Sequence, residues 1–436
     1  MNEDLGSGGR RRRTRVQLAV AVLALLAGCG EAGPGSGGER PGGEPWSRPE
    51  APGALASSVG GRDLSPVVDG QDLTALVAGN TALALELLRI VRAGAPDQNV
   101  ALGPYSISQA MSMLYAGARG ETATAMQSAL HFDVDPERFH QTMNGLDLEL
   151  ASRNSDIVLR NANQAWVQDG FPAKPDFVDA LARDYGAPLA ALDFAADGEA
   201  ARGAINGWVE AATERKIPEL FPAGTISSNT VLVLTNAMYM DAPWKYTFDA
   251  KLTRKSAFTR LDGSTVEVDM MHFDDFLPSA SGEDWQAVEL PYRGDEVSMF
   301  VVVPEDLAAF EASLTPERLD QVIGAIRDGG IHLSLPRFTF SHHQKLNDAL
   351  RELGLGVLFD GPDLSGIGDG SLHVSTVEHE AFIEVDEEGT RAAAATGVAI
   401  ADSHGPTVSV DRPFLFFIVD KPTGSVLFLG SVLDPR

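Results

Sequence analysis

Residues 387–410 read EEGTRAAAATGVAIADSHGPTVSV, and the reading of this stretch decides the fold. To its left, His379–Val385 (HEAFIEV) alternates and is rich in β-formers. To its right, residues 412–420 (RPFLFFIVD) and 425–430 (SVLFLG) are two short apolar strands. The stretch itself has almost no large apolar side chain and no lysine. With so little surface to bury, it is expected to be an exposed loop. Yet counting from Thr390, the even positions Ala392, Ala394, Thr396, Val398 and Ile400 are small or β-branched, and Arg391 falls on the odd face. Side chains of a strand alternate between faces, so this loop can become a strand with one apolar face.

The chain has 436 residues, 44% hydrophobic and 22% charged, as in soluble globular proteins. That length permits one large domain. A net charge of −27 argues against nucleic acid, whose phosphates would be repelled. Near the N-terminus, Arg10–Arg13 and Arg15 precede an apolar run, Val16–Ala27, too short to span a bilayer. The run ends at Leu26-Ala27-Gly28-Cys29, which resembles the lipobox of bacterial lipoproteins. The resemblance implies a signal peptide over residues 1–28, a lipid on Cys29, and an exported protein anchored to the bacterial cell envelope, facing the periplasm or the cell surface. Without residues 1–28, which carry five arginines and the acids Glu3 and Asp4, the net charge would be −30 instead of −27. Cys29 is the single cysteine, so no disulfide can form within the chain. From Gly30 to about Arg62 the composition is Gly/Pro/Ser-rich, which assigns 29–66 to a flexible tether and 67–436 to one folded domain.

Within that domain, helical spacing runs from Leu73 to Gly94, then from Pro104 to about Ala118, with Pro104 suited to the first turn. Thr122 is the expected cap of a third helix, and helices follow at 136–152, 175–185 and 198–213. Residues 157–167 read as one strand, and 230–240 (TVLVLTNAMYM) as a strand buried on both faces. Strands are expected at 265–271, 285–291, 297–304 and 331–340, and helices at 305–314, 316–326 and 344–353. Helices early and strands late give a mixed α+β class.

Enzymatic chemistry finds no footing. A Gly-x-Ser-x-Gly elbow, a His-Glu-x-x-His zinc pair and a phosphate loop are all missing. His342 and His343 are adjacent and point different ways, a surface pair and not a metal site. What stands out instead are polar residues inside apolar segments: Ser106, Asn236, His379 and, just after the buried strand, Trp244. Buried polar groups need partners, and these can satisfy one another.

The motifs around those residues, in order, are Gly103-Pro-Tyr-Ser-Ile-Ser, Gly117-Ala-Arg-Gly-Glu-Thr, Ile205-Asn-Gly-Trp-Val with Thr213 and Lys216-Ile, and Thr235-Asn-Ala-Met-Tyr-Met with Trp244. Leu335-Pro-Arg-Phe, Leu364-Ser-Gly-Ile, Glu387-Glu-Gly-Thr, Arg412-Pro-Phe and Phe428-Leu-Gly complete the set. Together, from about Asp72 to the last residue, they resemble the serpins, the serine protease inhibitor family. The resemblance implies three β-sheets, about nine helices and an exposed reactive centre loop over residues 387–410. It implies a monomer without cofactor or metal that inhibits serine, and by extension cysteine, endopeptidases irreversibly. Ser106, Asn236 and His379 would form the "shutter" beneath the central sheet, and Trp244, Arg337 and Glu387 the "breach" where the loop enters it. Gly103 replaces a serine usual in the family, so the shutter either loses a hydrogen bond or recruits water. Arg337 stands where lysine is common and can still pair with Glu387.

In the mechanism the resemblance implies, a protease cleaves the loop, which inserts into the sheet before the acyl-enzyme is hydrolysed. The hinge would comprise Glu387, Gly389, Thr390, Ala392, Ala393, Ala394 and Ala395. Small residues keep insertion free of steric and desolvation costs, and Gly389 provides a pivot. Counting forward from Gly389 by the family spacing puts the reactive bond at Ser403-His404; counting back from Pro413 puts it at Asp402-Ser403. No Lys or Arg lies between Ala392 and Asp411, and Ile400 and Ala401 suit elastase- or subtilisin-like enzymes better than trypsin-like ones. An Asp402 bond would suit an acid-directed protease. The alternative is a non-inhibitory serpin, a binding or carrier module that would need no small-residue hinge.

Overall fold

The computed structural model describes residues 48–370, 372–390 and 405–436. Cys29, the hinge alanines Ala392, Ala393, Ala394 and Ala395, and the reactive-bond candidates Asp402, Ser403 and His404 lie outside them.

Helix α1 (Gly70–Gly94) buries Leu76, Leu83, Leu87 and Leu88 and is capped by the Asp69 carboxylate on the Gln71 amide. Strand β1 (Val100–Leu102) leads to α2 (Pro104–Tyr115), buried along its whole length, then α3 (Gly120–Ala129) and α4 (Pro136–Ala151). Strands β2 (Val158–Asn161) and β3 (Gln164–Gln168) precede α5 (Pro175–Tyr185), β4 (Ala190–Leu192) and α6 (Gly198–Ala212). The long strand β5 (Leu232–Pro243) is followed by β6 (Arg254–Thr259), β7 (Thr265–Phe276), β8 (Ser279–Ser281), β9 (Trp285–Pro291) and β10 (Val297–Pro304). Next come α7 (Leu307–Ser313), α8 (Pro316–Ala325), β11 (Gly330–Pro336), β12 (Phe338–Lys345), α9 (Asn347–Leu350) and α10 (Val357–Asp360). The chain closes with β13 (Val374–Val385), β14 (Gly389–Thr390), β15 (Thr407–Ser409), β16 (Phe414–Asp420) and β17 (Ser425–Val432).

The strands form three sheets, ordered β1-β17-β16-β10-β9-β8, β15-β11-β7-β6 and β12-β13-β5-β3-β4, the last with β2 and β14 also on β5. The α+β class and the three sheets are as expected; among the described residues the helices number ten. The seven-stranded sheet carries the site. Its centre is β5, buried from Leu232 to Met240 because every side chain there is apolar or finds a polar partner. On one side β5 pairs parallel with β13; on the other it pairs antiparallel with β2 and β3, and α6 packs its Trp208 against Trp166 of β3.

Several expectations are corrected. Residues 157–167 form two strands, interrupted at Ala162-Asn163 but in one continuous register along β5. Residues 331–340 also divide, because Arg337 turns the chain from the four-stranded sheet into the seven-stranded one. Thr122 caps no helix end: Arg119 holds the cap position of α3, and the Thr122 hydroxyl accepts the Asp363 amide at 2.8 Å. Residues 344–353 are helical only from Asn347, since β12 runs on to Lys345; the helical turn after α9 is then broken by Gly354 at φ 96°. His342 is buried, not at the surface, its Nδ1 donating to the Ala101 carbonyl at 2.9 Å. Residues 48–66 are packed, not free: Ala51 is buried, Ala54 bridges Ala190, and the Leu55 amide donates to the Leu189 carbonyl at 2.7 Å. Their small side chains let the backbone approach the sheet edge closely, which composition alone reads as tether.

Candidate functional site

The seam between β5 and β13 organises the site. Parallel pairing runs from Val374↔Leu232 to Ala381↔Met238 and stops there, although β13 continues to Val385 and β5 to Pro243. Beyond the stop, β14 lies antiparallel on β5, with Gly389 opposite Pro243 and Thr390 opposite Ala242.

At the paired part of the seam, His379 and Asn236 face each other across the strands. The His379 Nδ1 bonds the Asn236 side-chain oxygen, while its Nε2 accepts the Gly103 amide at 3.1 Å. Because Nε2 accepts, Nδ1 carries the proton. Burial drives the imidazole pKa down to about 3, so it is neutral at pH 7. Asn236 Nδ2 donates to Ser106 Oγ and to Asn163 Oδ1, both at 2.7 Å. Ser106, at the start of α2, donates in turn to Asn161 Oδ1 at 2.8 Å. The structure thus brings Ser106, Asn236 and His379 together. The serine missing at Gly103 leaves no gap, because the backbone N–H supplies the bond, and a Cβ there would already lie 3.1 Å from the Met238 sulfur.

Three members of this network escaped the sequence reading: Asn161, Asn163 and Gln109. Gln109 Oε1 accepts from Asn161 at 2.5 Å and from Asn163 at 2.9 Å. The signal was present in Arg160-Asn-Ala-Asn-Gln164, where amides recur every second residue of a strand. A period of two marks one face, and polar residues on one face ordinarily mean solvent. Here that face looks onto α2.

At the upper end, Trp244 stacks on Tyr292 with ring centroids 4.6 Å apart and donates Nε1–H to the Asp386 carbonyl at 2.9 Å. Glu387, buried, accepts from the Thr253 hydroxyl and pairs with Arg337, whose guanidinium is raised above its ordinary value chiefly by that bond. The Asp386 carboxylate accepts the amides of Glu388 (2.8 Å) and Gly389 (3.2 Å), which fixes the turn from β13 into β14, and burial is the main cause that raises its pKa. Trp244, Arg337 and Glu387 therefore converge at the turn from β13 into β14.

Gly389 answers a steric requirement of the strand pairing. A Cβ there would sit 2.3 Å from the Ala242 carbonyl oxygen, so only glycine lets β14 approach β5. Thr390 is 1% exposed, and its hydroxyl and the Tyr292 hydroxyl bond at 2.6 Å. The first residue of the even face thus points inward. Across the fork, Tyr239 and Phe382 rings lie 6.4 Å apart, and Lys216, from the segment after α6, caps Phe382 and pairs with Glu384 of β13 at 3.1 Å.

With that geometry in hand, comparison with known proteins decides the family. The family model described as Serpin (serine protease inhibitor) matches residues 78–435. This chain is a serpin. Leukocyte elastase inhibitor A of Rattus norvegicus is 37% identical over 377 residues, 83% of this chain and 99% of that protein. A serpin-like protein of Methanosarcina mazei is 34% identical over 349 residues, 78% of this chain and 82% of its own. Among solved structures, human thyroxine-binding globulin complexed with its ligand matches this serpin with a TM-score of 0.79 and 26% identity, over 84% of this chain and all of that one.

Proposed function

We propose that this serpin is an irreversible, suicide-substrate inhibitor of serine or cysteine endopeptidases. The loop would be cut as substrate and inserted as a strand between β5 and β13 before the acyl-enzyme is hydrolysed. The single observation that carries this reading is the hinge: Gly389 and Thr390 are already paired with β5 beyond the point where β13 leaves it. If the β14 register continued, Ala392, Ala394 and Thr396 would meet Met240, Met238 and Asn236 in turn, and Arg391 would stay on the opposite face. In that state Thr396 would arrive at the Ser106, Asn236 and His379 cluster, whose hydrogen bonds would have to be exchanged.

Relatives named leukocyte elastase inhibitor, together with Ile400 and Ala401 and the lack of Lys or Arg from Ala392 to Asp402, support elastase- or subtilisin-like targets. The reactive bond is Ser403-His404 or Asp402-Ser403 on this reading. We further propose lipidation at Cys29 and export to the cell envelope, which incorporation of a clickable palmitate analogue, lost in Cys29→Ser, would test. The decisive experiment is incubation with elastase, subtilisin and trypsin, followed by denaturing electrophoresis and mass spectrometry of the released fragment. SDS-stable complexes with the first two are expected. Thr390→Arg forces a charge into the buried Tyr292 contact and should convert inhibitor to substrate; a stable complex from that variant would sink the hinge account.

A second reading draws on the likeness to thyroxine-binding globulin. In it the fold serves as a carrier. A nicked loop that left thermal stability unchanged, with cleavage but no complex, would favour it.

A further inference from the structure

Residues 48–62 pass the edge of the seven-stranded sheet at β4 and contact the junction of β2 and β3 as well as α4, α5 and α6. The Arg48 guanidinium donates to the Asn163 carbonyl at 3.3 Å, in the interval where β2 and β3 are interrupted. The Pro49 carbonyl accepts the Trp208 Nε1–H of α6 at 2.9 Å, and Ala51 is buried in the apolar cluster shared by α6 and the sheet. Gly53 and Leu55 exchange backbone hydrogen bonds with Ala191 and Leu189 at 2.9 and 2.7 Å, extending the sheet past β4. Gly53 has φ +74°, and a Cβ on it would lie 2.0 Å from the Ala191 oxygen. Such a position is built for close approach.

The far end is anchored elsewhere. Ser57 and the Ser58 amide donate to Asp179 of α5 at 2.8 and 2.7 Å. Arg62 donates to the Asn144 side chain at 2.8 Å and pairs with Asp147 of α4 at 2.6 Å. Asp147 also accepts the Tyr105 hydroxyl of α2 at 2.5 Å, and Tyr105 is the neighbour of Ser106 in the seam network. The segment therefore links the sheet edge and α6 at one end to the helix beneath the seam at the other.

For the seam to admit a strand, β5 with β2, β3 and β4 must move sideways from β13, over α2. We propose that residues 48–62 act as a strap that resists this movement and sets how readily the seam opens. The proposal rests on the insertion reading above. Unseating the strap weakens hydrogen bonds at Asn163, Trp208 and Ala191 together, and leaves every residue of the loop and hinge unchanged.

The test uses the full chain and two variants, Arg48→Ala and Gly53→Val, with two measurements. The first is the rate at which a synthetic peptide of residues 390–403 is taken up, read by native electrophoresis. The second is hydrogen exchange of backbone amides. Uptake about tenfold faster is expected in Arg48→Ala, the size of effect that loss of one charge-assisted hydrogen bond gives, and at least as large an increase in Gly53→Val, whose side chain clashes with the Ala191 carbonyl. Faster exchange along β3, β5 and α6 is expected with it. Should the parent take up peptide and both variants match its rate, the strap is overturned and the insertion reading stands. Should none of the three take up peptide, the insertion reading fails; exchange changes confined to residues 48–62 then overturn the strap as well. If Gly53→Val does not fold, Arg48→Ala carries both measurements alone.

Discussion

At the scale of single residues, the ion pair of Arg337 and Glu387 is asymmetric, and the asymmetry predicts which partner matters more. Arg337 is 44% exposed at its side chain and Glu387 only 5%. Losing the carboxylate leaves a guanidinium that water can solvate; losing the guanidinium strands a buried charge. Arg337→Ala is therefore expected to cost about 2 kcal/mol and Glu387→Gln under about 1 kcal/mol, since glutamine still accepts from Thr253. Urea unfolding of the two variants and of the double variant checks this, and the double should recover part of the loss. The pair was legible in the sequence through the resemblance, as were Ser106, Asn236 and His379, each a polar residue in an apolar segment. Thr253 and Tyr292 were not. Thr253 acts through its bond to Glu387 and Tyr292 through its bond to Thr390 of β14, tertiary contacts that no local pattern around either residue announces.

Among the elements, the two-residue strand β14 has consequences out of proportion to its length. Gly389→Val would drive Cγ and Cβ atoms into the Ala242 carbonyl, so β14 should lift from β5 and the Thr390–Tyr292 bond should break. The expected result is loss of amide protection at Thr390 by hydrogen exchange, with a shift from stable complex to cleaved product in the protease assay. The segment after α6 bears on the same fork: Lys216→Ala removes the link to Glu384 and Phe382 and should cost about 1 kcal/mol or less, the value of a partly exposed pair. Elements with a clear pattern were legible in sequence, above all α1 and α2 by helical spacing and β5 by its nearly unbroken apolar run. Boundaries made by tertiary turns were not. Apolar residues fall at odd positions in Ile331, Leu333 and Leu335 but at even ones in Phe338 and Phe340, so the alternation changes phase at Arg337, where the backbone changes sheets; the two runs abut and read as a single strand. The edge strand β4 has three residues, too few to show a period at all.

At the scale of the whole molecule, buried histidines set the response to acid. Burial lowers His379 to about 3 and His140 to about 4, against an ordinary value of 6.5. The unfolded chain takes up these protons below about pH 6.5 while the native state does not. Stability from these two groups is thus full above about pH 6.5 and is lost as pH falls toward their native values, by up to about 1.4 kcal/mol per pH unit for each. His343, raised chiefly by its bond to Glu378, acts in the opposite sense and offsets part of the loss. Urea midpoints at pH 7, 6 and 5 should therefore decline, and His140→Gln should flatten the decline. A midpoint unchanged from pH 7 to 5 would contradict this assignment.

The order of strands in the six-stranded sheet also bears on how the molecule is made. Strand β1 pairs with β17, and the Asn99 side chain is bonded to the amides of Leu433 and Asp434 at 2.7 and 3.0 Å. The beginning of the domain thus waits for nearly its last residues. While the ribosome is still elongating the chain, α1, β1 and α2 have emerged but their sheet lacks the two strands that join β1 to β10, namely β17 and β16. Native closure of this sheet therefore waits for β16 and β17, and until they arrive the apolar faces of early elements are open to chaperones or to one another.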